Sequence, residues 1–412
     1  MNETDELAAI ASLIADGEER EAFARLRAQL GWPRGKQVTQ LPRWLALLAQ
    51  LAGERGAGSL VELANAAVRD PDSPDRLYDL GYALIDAGAP SLAATVLWRC
   101  LELVGDSEEV VCELVSALES ALAYNDAFAI LDQHATLRGR SFLCEYLYAF
   151  NAAMTGRLDI TRVELARLVP DSPETESMRA TIAAMVERAD RITGTCKLDS
   201  RDLRGWHYVL NGTLLAHQSP YGFDEPMHGR YAWLKDSIER VATGLLRLLP
   251  LVRGTPCVYA PPNRDHEILG RALAKLLDVP LAPWPAVGVP APGLIAVYDL
   301  AVLPPPELAR LIQRRPDQVL YAHASPWTTD FPLAPDVTTL LYQSLVAAWE
   351  DDTSAQDEIV DKIVSSAGLD PEETAVDDMD SWAALVEKTW PPLPGQRSRA
   401  WAGGPVPSNR FE

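Results

Sequence analysis

The chain repeats itself, and the repeat limits its fold more than any other feature does. Pro71-Asp72-Ser73-Pro74 recurs as Pro170-Asp171-Ser172-Pro173, 99 residues later, which is three times 33. Between them, Asp106-Ser107 stands 34 residues after Asp72-Ser73 and is followed by Glu108-Glu109. An Asp-Ser pair suits a helix start, because a short side-chain oxygen accepts a hydrogen bond from an unsatisfied N–H of the first turn. Pro74 and Pro173 then fall at the first helical position, where a missing N–H costs little. A period near 34 with a start signal in each copy predicts stacked helix pairs, since one pair cannot bury its apolar face alone.

The segments behind these signals align. Residues 79–88 match 113–118 at a spacing of 34 and 146–152 at 67. Second helices are expected over 91–104, 126–137 and 159–169, and an earlier pair over 41–52 and 60–68. Gly81, Ala83, Ala117 and Ala149 lie where paired helices would approach closely. With this period, and with Gly88, Ala93 and the closing prolines, residues 40–190 resemble the tetratricopeptide repeat family. A HEAT-like or other α-solenoid shares the pattern. The resemblance implies a concave surface that binds a peptide or a partner protein; the competing reading is that the helices only pack on the C-terminal half. Residues 1–36 read as an N-terminal helical cap and 37–192 as the repeat array.

Near Thr193-Gly194-Thr195 the helical pattern breaks, and five of the six histidines and eight of the eleven tryptophans lie beyond it. Residues 193–350 predict a small doubly wound α/β domain. Asn211-Gly212 between apolar runs signals a hairpin, and a polar loop over 217–229 follows it. Helices are expected over 230–249, 265–277, 305–314 and 336–349, and strands over 256–260, 294–298 and 318–323. Short apolar strands alternating with helices indicate a parallel sheet covered on both faces, with the hairpin as an antiparallel edge. The fold class expected is thus α + α/β.

In such sheets ligands bind beyond the carboxyl ends of the strands. That rule selects Asn263, Arg264, Asp265, His266, Asp299, His323 and Thr328 as candidate ligand residues. An arginine, an imidazole and carboxylates could meet there on a small polar ligand, and a helix start favours an anion. Asp265 reads equally well as a helix cap, with Arg264 as its ion partner. Residues 260–275 resemble the first strand-loop-helix of type I phosphoribosyltransferases, and 279–281 sit where that family's second strand begins. The corresponding motif segment, 295–305, keeps Asp299 but has Tyr298 in place of the other acid. It also has Pro304 and Pro305 where the family's loop offers backbone N–H groups to phosphate. The resemblance implies the fold, together with loss of the transferase chemistry. GxGxxG after a strand, Walker A, GxSxG and HExxH motifs are all missing. No catalytic residue, cofactor or metal is assigned, since the histidines lack ligand spacing. Cys100, Cys112, Cys144, Cys196 and Cys257 form no CxxC pair, so free thiols are expected.

The net charge of −21 argues against nucleic acid and anionic membranes as partners. About half of it lies in 350–380, where twelve acidic residues meet only Lys362. Apolar stripes at Ile359, Val360, Ile363 and Val364, and at Trp382, Leu385, Val386 and Trp390, make 351–412 an acidic helical appendage with an extended tail. It is expected to pack on the α/β domain or to dock in a solenoid groove. The N-terminus has no basic or apolar leader, and the longest uncharged stretch, 279–298, carries five prolines, so neither a signal peptide nor a spanning helix is read. A cytoplasmic location follows as the expectation. Arginine outnumbers lysine 31 to 6, which suggests a GC-rich bacterial genome. The function expected is that of a non-catalytic interaction or scaffold protein binding a partner through its repeats. The alternative is an enzyme or sensor of a phosphorylated or nucleotide-like molecule, with Arg264 holding the anion and His266 or His323 as base, helped by Asp299.

Overall fold

The computed structural model describes residues 2–220, 228–288, 290–366, 377, 379–392 and 399–407. The chain divides into two compact units, one of residues 1–155 and 159–179, the other of residues 156–158 and 180–412.

The first unit is helical. α1 (Glu3–Ala15) and α2 (Glu19–Leu30) precede a single 3-10 turn (Arg34–Gln37). Helix pairs follow: α3 (Leu41–Glu54) with α4 (Gly58–Arg69), α5 (Pro74–Asp86) with α6 (Pro90–Val104), and α7 (Glu108–Ser120) with α8 (Tyr124–Gln133). After the short α9 (Ala135–Arg138) come α10 (Phe142–Met154) and α11 (Leu158–Leu165), and α12 (Pro173–Arg191) runs across the division. The starts of α3, α5, α7, α10 and α12 are 31 to 34 residues apart. The cause of that regularity is local: Ser73, Ser107 and Ser141 accept hydrogen bonds from the N–H of Arg76, Val110 and Cys144, and Ser172 accepts from Thr175. Close approach is also visible. A Cβ on Gly81 would lie 2.5 Å from Leu97 Cγ, so α5 and α6 meet where only glycine leaves room. Trp44, Leu77, Leu80, Leu84, Leu97, Val111 and Leu114 are buried between the pairs.

One polar pair inside this unit sets a pH response. Burial, and then the neighbouring Glu164 carboxyl, push Glu145 up to about 7. A folded-state value above the ordinary 4.5 means that the protonated form stabilises the fold at low pH. That contribution fades as pH rises through about 7. Glu145→Gln keeps the neutral form at every pH. It is expected to remove the part of the stability loss that wild type shows between about pH 5 and about pH 8. Urea denaturation of both proteins at the two pH values checks this; parallel losses would refute it.

The second unit carries the sheet. α13 (Leu203–Asn211) leads into β1 (Leu214–Leu215), and β2 (Tyr231–Lys235) into α14 (Ile238–Leu248). β3 (Val258–Tyr259), α15 (Arg264–Leu277), β4 (Leu281–Ala282), β5 (Gly293–Asp299), α16 (Pro305–Ile312), β6 (Gln318–Pro326) and β7 (Val337–Val346) follow. The order is β1-β7-β6-β5-β3-β4, with β2 also on β7, and every described pairing is parallel. β1 pairs with the start of β7 (Leu214 opposite Val337) and β2 with its later part (Tyr231 opposite Tyr342). The two short strands are therefore successive pieces of one interrupted edge.

Three expectations are corrected here. Asn211-Gly212 ends a helix and does not turn a hairpin. Gly212 takes the left-handed conformation (φ 72°) as the cap of α13, and Asp202 caps its start by accepting from Gly205 N–H. A positive-φ glycine serves either role, and the helical spacing of Leu203, Trp206 and Leu210 decides it. There is accordingly no antiparallel hairpin edge at this point. The helix expected over 230–249 splits into β2, where Tyr231 and Leu234 are buried and Trp233 and Lys235 exposed, and α14, whose start Ser237 caps. Residues 336–349 hold β7, not a helix. Its Val-Thr-Thr-Leu-Leu-Tyr run is buried throughout, and a run buried on both faces has no alternation with which to tell strand from helix.

In the acidic appendage, α17 (Gln356–Ser366) and α18 (Met379–Thr389) form where the apolar stripes lie. Ile359, Val360, Ile363, Trp382 and Leu385 join the core of the second unit, while Asp357 and Asp361 face Arg271 and Lys275 of α15. Gly368, which reads from the sequence as the end of the first apolar stripe, and Asp370-Pro371, which reads as the start of another turn, lie outside the described residues, as do 221–227 of the polar loop and much of the tail beyond Pro391. Among the described residues no helix is long and apolar enough to cross a membrane.

Candidate functional site

The residues selected from the sequence gather only in part. Asn263 caps α15, its Oδ1 accepting from the N–H of Asp265 (2.8 Å) and His266. Asp265 accepts from Trp349 Nε1 at 2.7 Å. His266 is fully buried, and its Nδ1 accepts from Tyr298 N–H at 3.1 Å. Burial holds this imidazole down at about 4, so it is neutral at physiological pH. His323, also fully buried, stacks on the Tyr298 ring (centroids 5.2 Å apart). The two histidines thus flank Tyr298 inside the core. Arg264 lies on the surface and reaches the Asp352 carbonyl at 3.5 Å. Asp299 accepts from Ala301 N–H and Tyr342 O–H, and burial pushes its carboxyl up. Thr328 is half-buried in the bend after β6.

The centre that His323 does belong to was not visible in the sequence. Asp236, at the carboxyl end of β2, meets His323 Nε2 (2.8 Å) and accepts from the Tyr298 hydroxyl (2.7 Å), Arg240 Nη1 (3.1 Å) and Ser237 N–H. Burial pushes the Asp236 carboxyl up; attraction and hydrogen bonding to His323, Arg240 and Tyr298 outweigh it and hold the group at about 2. Asp236 is therefore ionised at neutral pH. Tyr321 O–H and Thr339 Oγ1, 2.7 Å apart, extend the network. Its members lie just past β2 and in α14, β5, β6 and β7, so it ties the interrupted edge to the middle of the sheet. A recess elsewhere in this unit, beside His207, Asn211, Arg230, Trp327 and Trp401, has a volume of about 30 Å³, the share of one water molecule.

A larger cleft lies in the helical unit. Its volume is about 370 Å³, within the range of ligand pockets. Val38, Leu41, Pro42, Pro71 and Trp98 supply apolar lining, and Lys36, Asp72, Arg99 and Glu102 supply charge. The segment between α2 and α3 builds one wall. Its Trp32 N–H donates to Ser91 O, and Thr95 Oγ1 donates to Leu30 O at 2.7 Å, which fastens the segment to α6. Lys36 Nζ stands 3.9 Å above the Trp98 ring and 4.9 Å from that of Trp32. Such cation–π contacts hold a charge over an apolar surface. Arg99 donates to Asp72 (2.9 Å) and Glu102 (3.4 Å) on the cleft wall. None of these residues was selected from the sequence. The available signal was the rarity of tryptophan in the helical half, where only Trp32, Trp44 and Trp98 occur.

Among the described residues no group of three or more His, Cys, Asp or Glu side chains is placed to hold a metal ion. No protein-family model matches this chain, and no curated protein matches it.

Proposed function

We propose that this chain is a non-catalytic interaction protein whose helical unit, a divergent array of the tetratricopeptide repeat type, binds a peptide segment of a partner protein. The cleft of about 370 Å³ carries the reading. Its apolar lining suits an apolar side chain of a bound segment, and charges of both signs around it suit that segment's backbone and polar groups. The helix starts at 31 to 34 residue intervals, four of the five with a serine cap, support the repeat assignment. The second unit reads as a degenerate relative of type I phosphoribosyltransferases. Asp299 spends its carboxylate on Ala301 N–H and Tyr342 O–H, and Pro304 and Pro305 offer no N–H to a phosphate. An enzyme using Arg264 with His266, His323 and Asp299 has less support, since Arg264 lies on the surface and both imidazoles are fully buried.

The test is affinity capture with the full chain against the same chain carrying Lys36→Ala and Arg99→Ala. Both side chains are solvent-facing enough to change without unfolding the array. A partner retained by wild type and by Asp299→Ala, and weakened roughly tenfold or more by the cleft pair, is the expected result. Partners that bind the cleft variant as tightly as wild type would overturn the proposal.

A further inference from the structure

The interrupted edge of the sheet holds a second polar centre, which neither the repeat array nor the Asp236 network uses. Past β1, Ala216 and His217 N–H still donate to the Thr338 and Thr339 carbonyls of β7, and the chain then leaves β7 until Tyr231. Three donors converge just beyond that carboxyl end. Arg204 of α13 places Nη2 2.8 Å from Asp377 Oδ1. Arg247 of α14 donates through Nη1 to Asp377 Oδ2. His217 brings Nδ1 to 3.4 Å from the same Oδ2. Arg204, Arg247, His217 and Asp377 are all buried.

The donors are aimed by bonds that do not involve Asp377. Arg204 Nε donates to the Leu215 carbonyl at 2.9 Å and its Nη2 to that of Ala216 at 3.3 Å. Arg247 Nη1 also donates to the Ala216 carbonyl. The Tyr231 hydroxyl lies 2.9 Å from His217 Nε2, which fixes the ring and turns Nδ1 toward the carboxylate. The last two peptide carbonyls of the edge piece thus orient two guanidinium groups in advance. Preorganised donors of this kind need no rearrangement to receive an oxyanion. The present occupant comes from elsewhere in the chain: Asp377 lies 130 residues from Arg247 and 173 from Arg204, and belongs to no helix or strand. Ligands of parallel sheets sit at carboxyl ends of strands, most often where the strand pattern breaks.

We infer that Arg204, Arg247 and His217 form an oxyanion-binding socket for the carboxylate or phosphate group of a small molecule, with Asp377 as its resident occupant. Asp377 fills the site as an intramolecular carboxylate, two oxygens held by separate donors, and a ligand enters by taking its place. This centre lies apart from Arg264, Asp299 and the other residues read from the sequence, so it stands whether or not the repeat cleft binds a peptide.

The probes are inorganic phosphate and acetate, each against sodium chloride of matched ionic strength, with the melting temperature of the full chain as readout. Asp377→Asn keeps the shape of the occupant and removes its charge. It is expected to bind phosphate, acetate or both roughly tenfold more tightly than wild type. Arg247→Met in the same background is expected to abolish the response. The stronger of the two probes tells a phosphate site from a carboxylate site. A variant that responds to both anions no more than to chloride overturns the socket. Should Asp377→Asn fail to fold, wild type decides. Phosphate or acetate displacing Asp377 must then speed hydrogen exchange in residues 379–389 relative to chloride, and unchanged exchange there overturns the inference.

Discussion

Replacing Asp236 by alanine is expected to lower the stability of the α/β unit by about 3–5 kcal/mol, the range for breaking a buried ion pair from one side. Arg240 and His323 would each lose this carboxylate, and the Tyr298 hydroxyl would lose an acceptor within the core. Asp236→Asn should cost less, since an amide oxygen still accepts one of these bonds. Urea denaturation followed by circular dichroism measures both, and a loss below about 1 kcal/mol for the alanine variant would remove the network from the stability argument. The effect carries its own pH signature. The folded-state value near 2 lies below the ordinary 3.8, so the ionised carboxylate stabilises the fold fully above about 3.8. That contribution disappears as pH falls through about 2. The gap between wild type and Asp236→Ala should therefore be constant near neutrality and narrow in acid.

Trp349→Ala is expected to cost a similar 3–5 kcal/mol. Trp349, three residues past β7, is fully buried, its ring centroid 4.7 Å from that of Tyr298. Its Nε1 donates to Asp265 at 2.7 Å, at the first turn of α15. The truncation would open a cavity in the layer shared by Tyr298 and α15, and would remove the donor that holds Asp265. Trp349→Phe fills most of the space and loses the hydrogen bond, so roughly 1–2 kcal/mol is expected. Thermal denaturation distinguishes the two. Equal losses would mean that the indole N–H, and not the ring volume, is what matters here.

The helical half was legible because its signals are local. A serine cap acts on an N–H three residues away, and apolar spacing fixes which face is buried, so Ser73, Ser107 and Ser172 mark helices without knowledge of the rest. The same holds for α15, whose cap Asn263 and apolar stripe lie within one segment. β7 was not legible for the opposite reason. Its identity depends on β1, β2 and β6 lying on either side of it, and its own mixed run of apolar residues, threonines, Gln343 and Ser344 carries no strand period. The candidate site suffered likewise. His323 stood out as a histidine after a strand, but its partner Asp236 is 87 residues earlier in the chain. Lys36 and Trp98, which build the helical cleft, are 62 residues apart and brought together by the segment fastened to α6. The Asn211-Gly212 pair shows how a true conformational signal, a glycine with positive φ, leaves open which element it terminates.

The interrupted edge has a consequence for how the chain is made. Among the described strands, β1 and β2 pair with β7 alone, more than a hundred residues further on. During synthesis, Leu214–Leu215 and Tyr231–Lys235 leave the ribosome long before Val337–Val346 exists. Each helix pair of the first unit, by contrast, finds its neighbour within about one repeat. Closing long loops before contacts reward them slows folding. The helical unit should therefore be complete while the apolar strands of the second unit still wait for the last strand of their sheet. That interval, with unpaired strand edges exposed, is when the nascent chain most depends on chaperones.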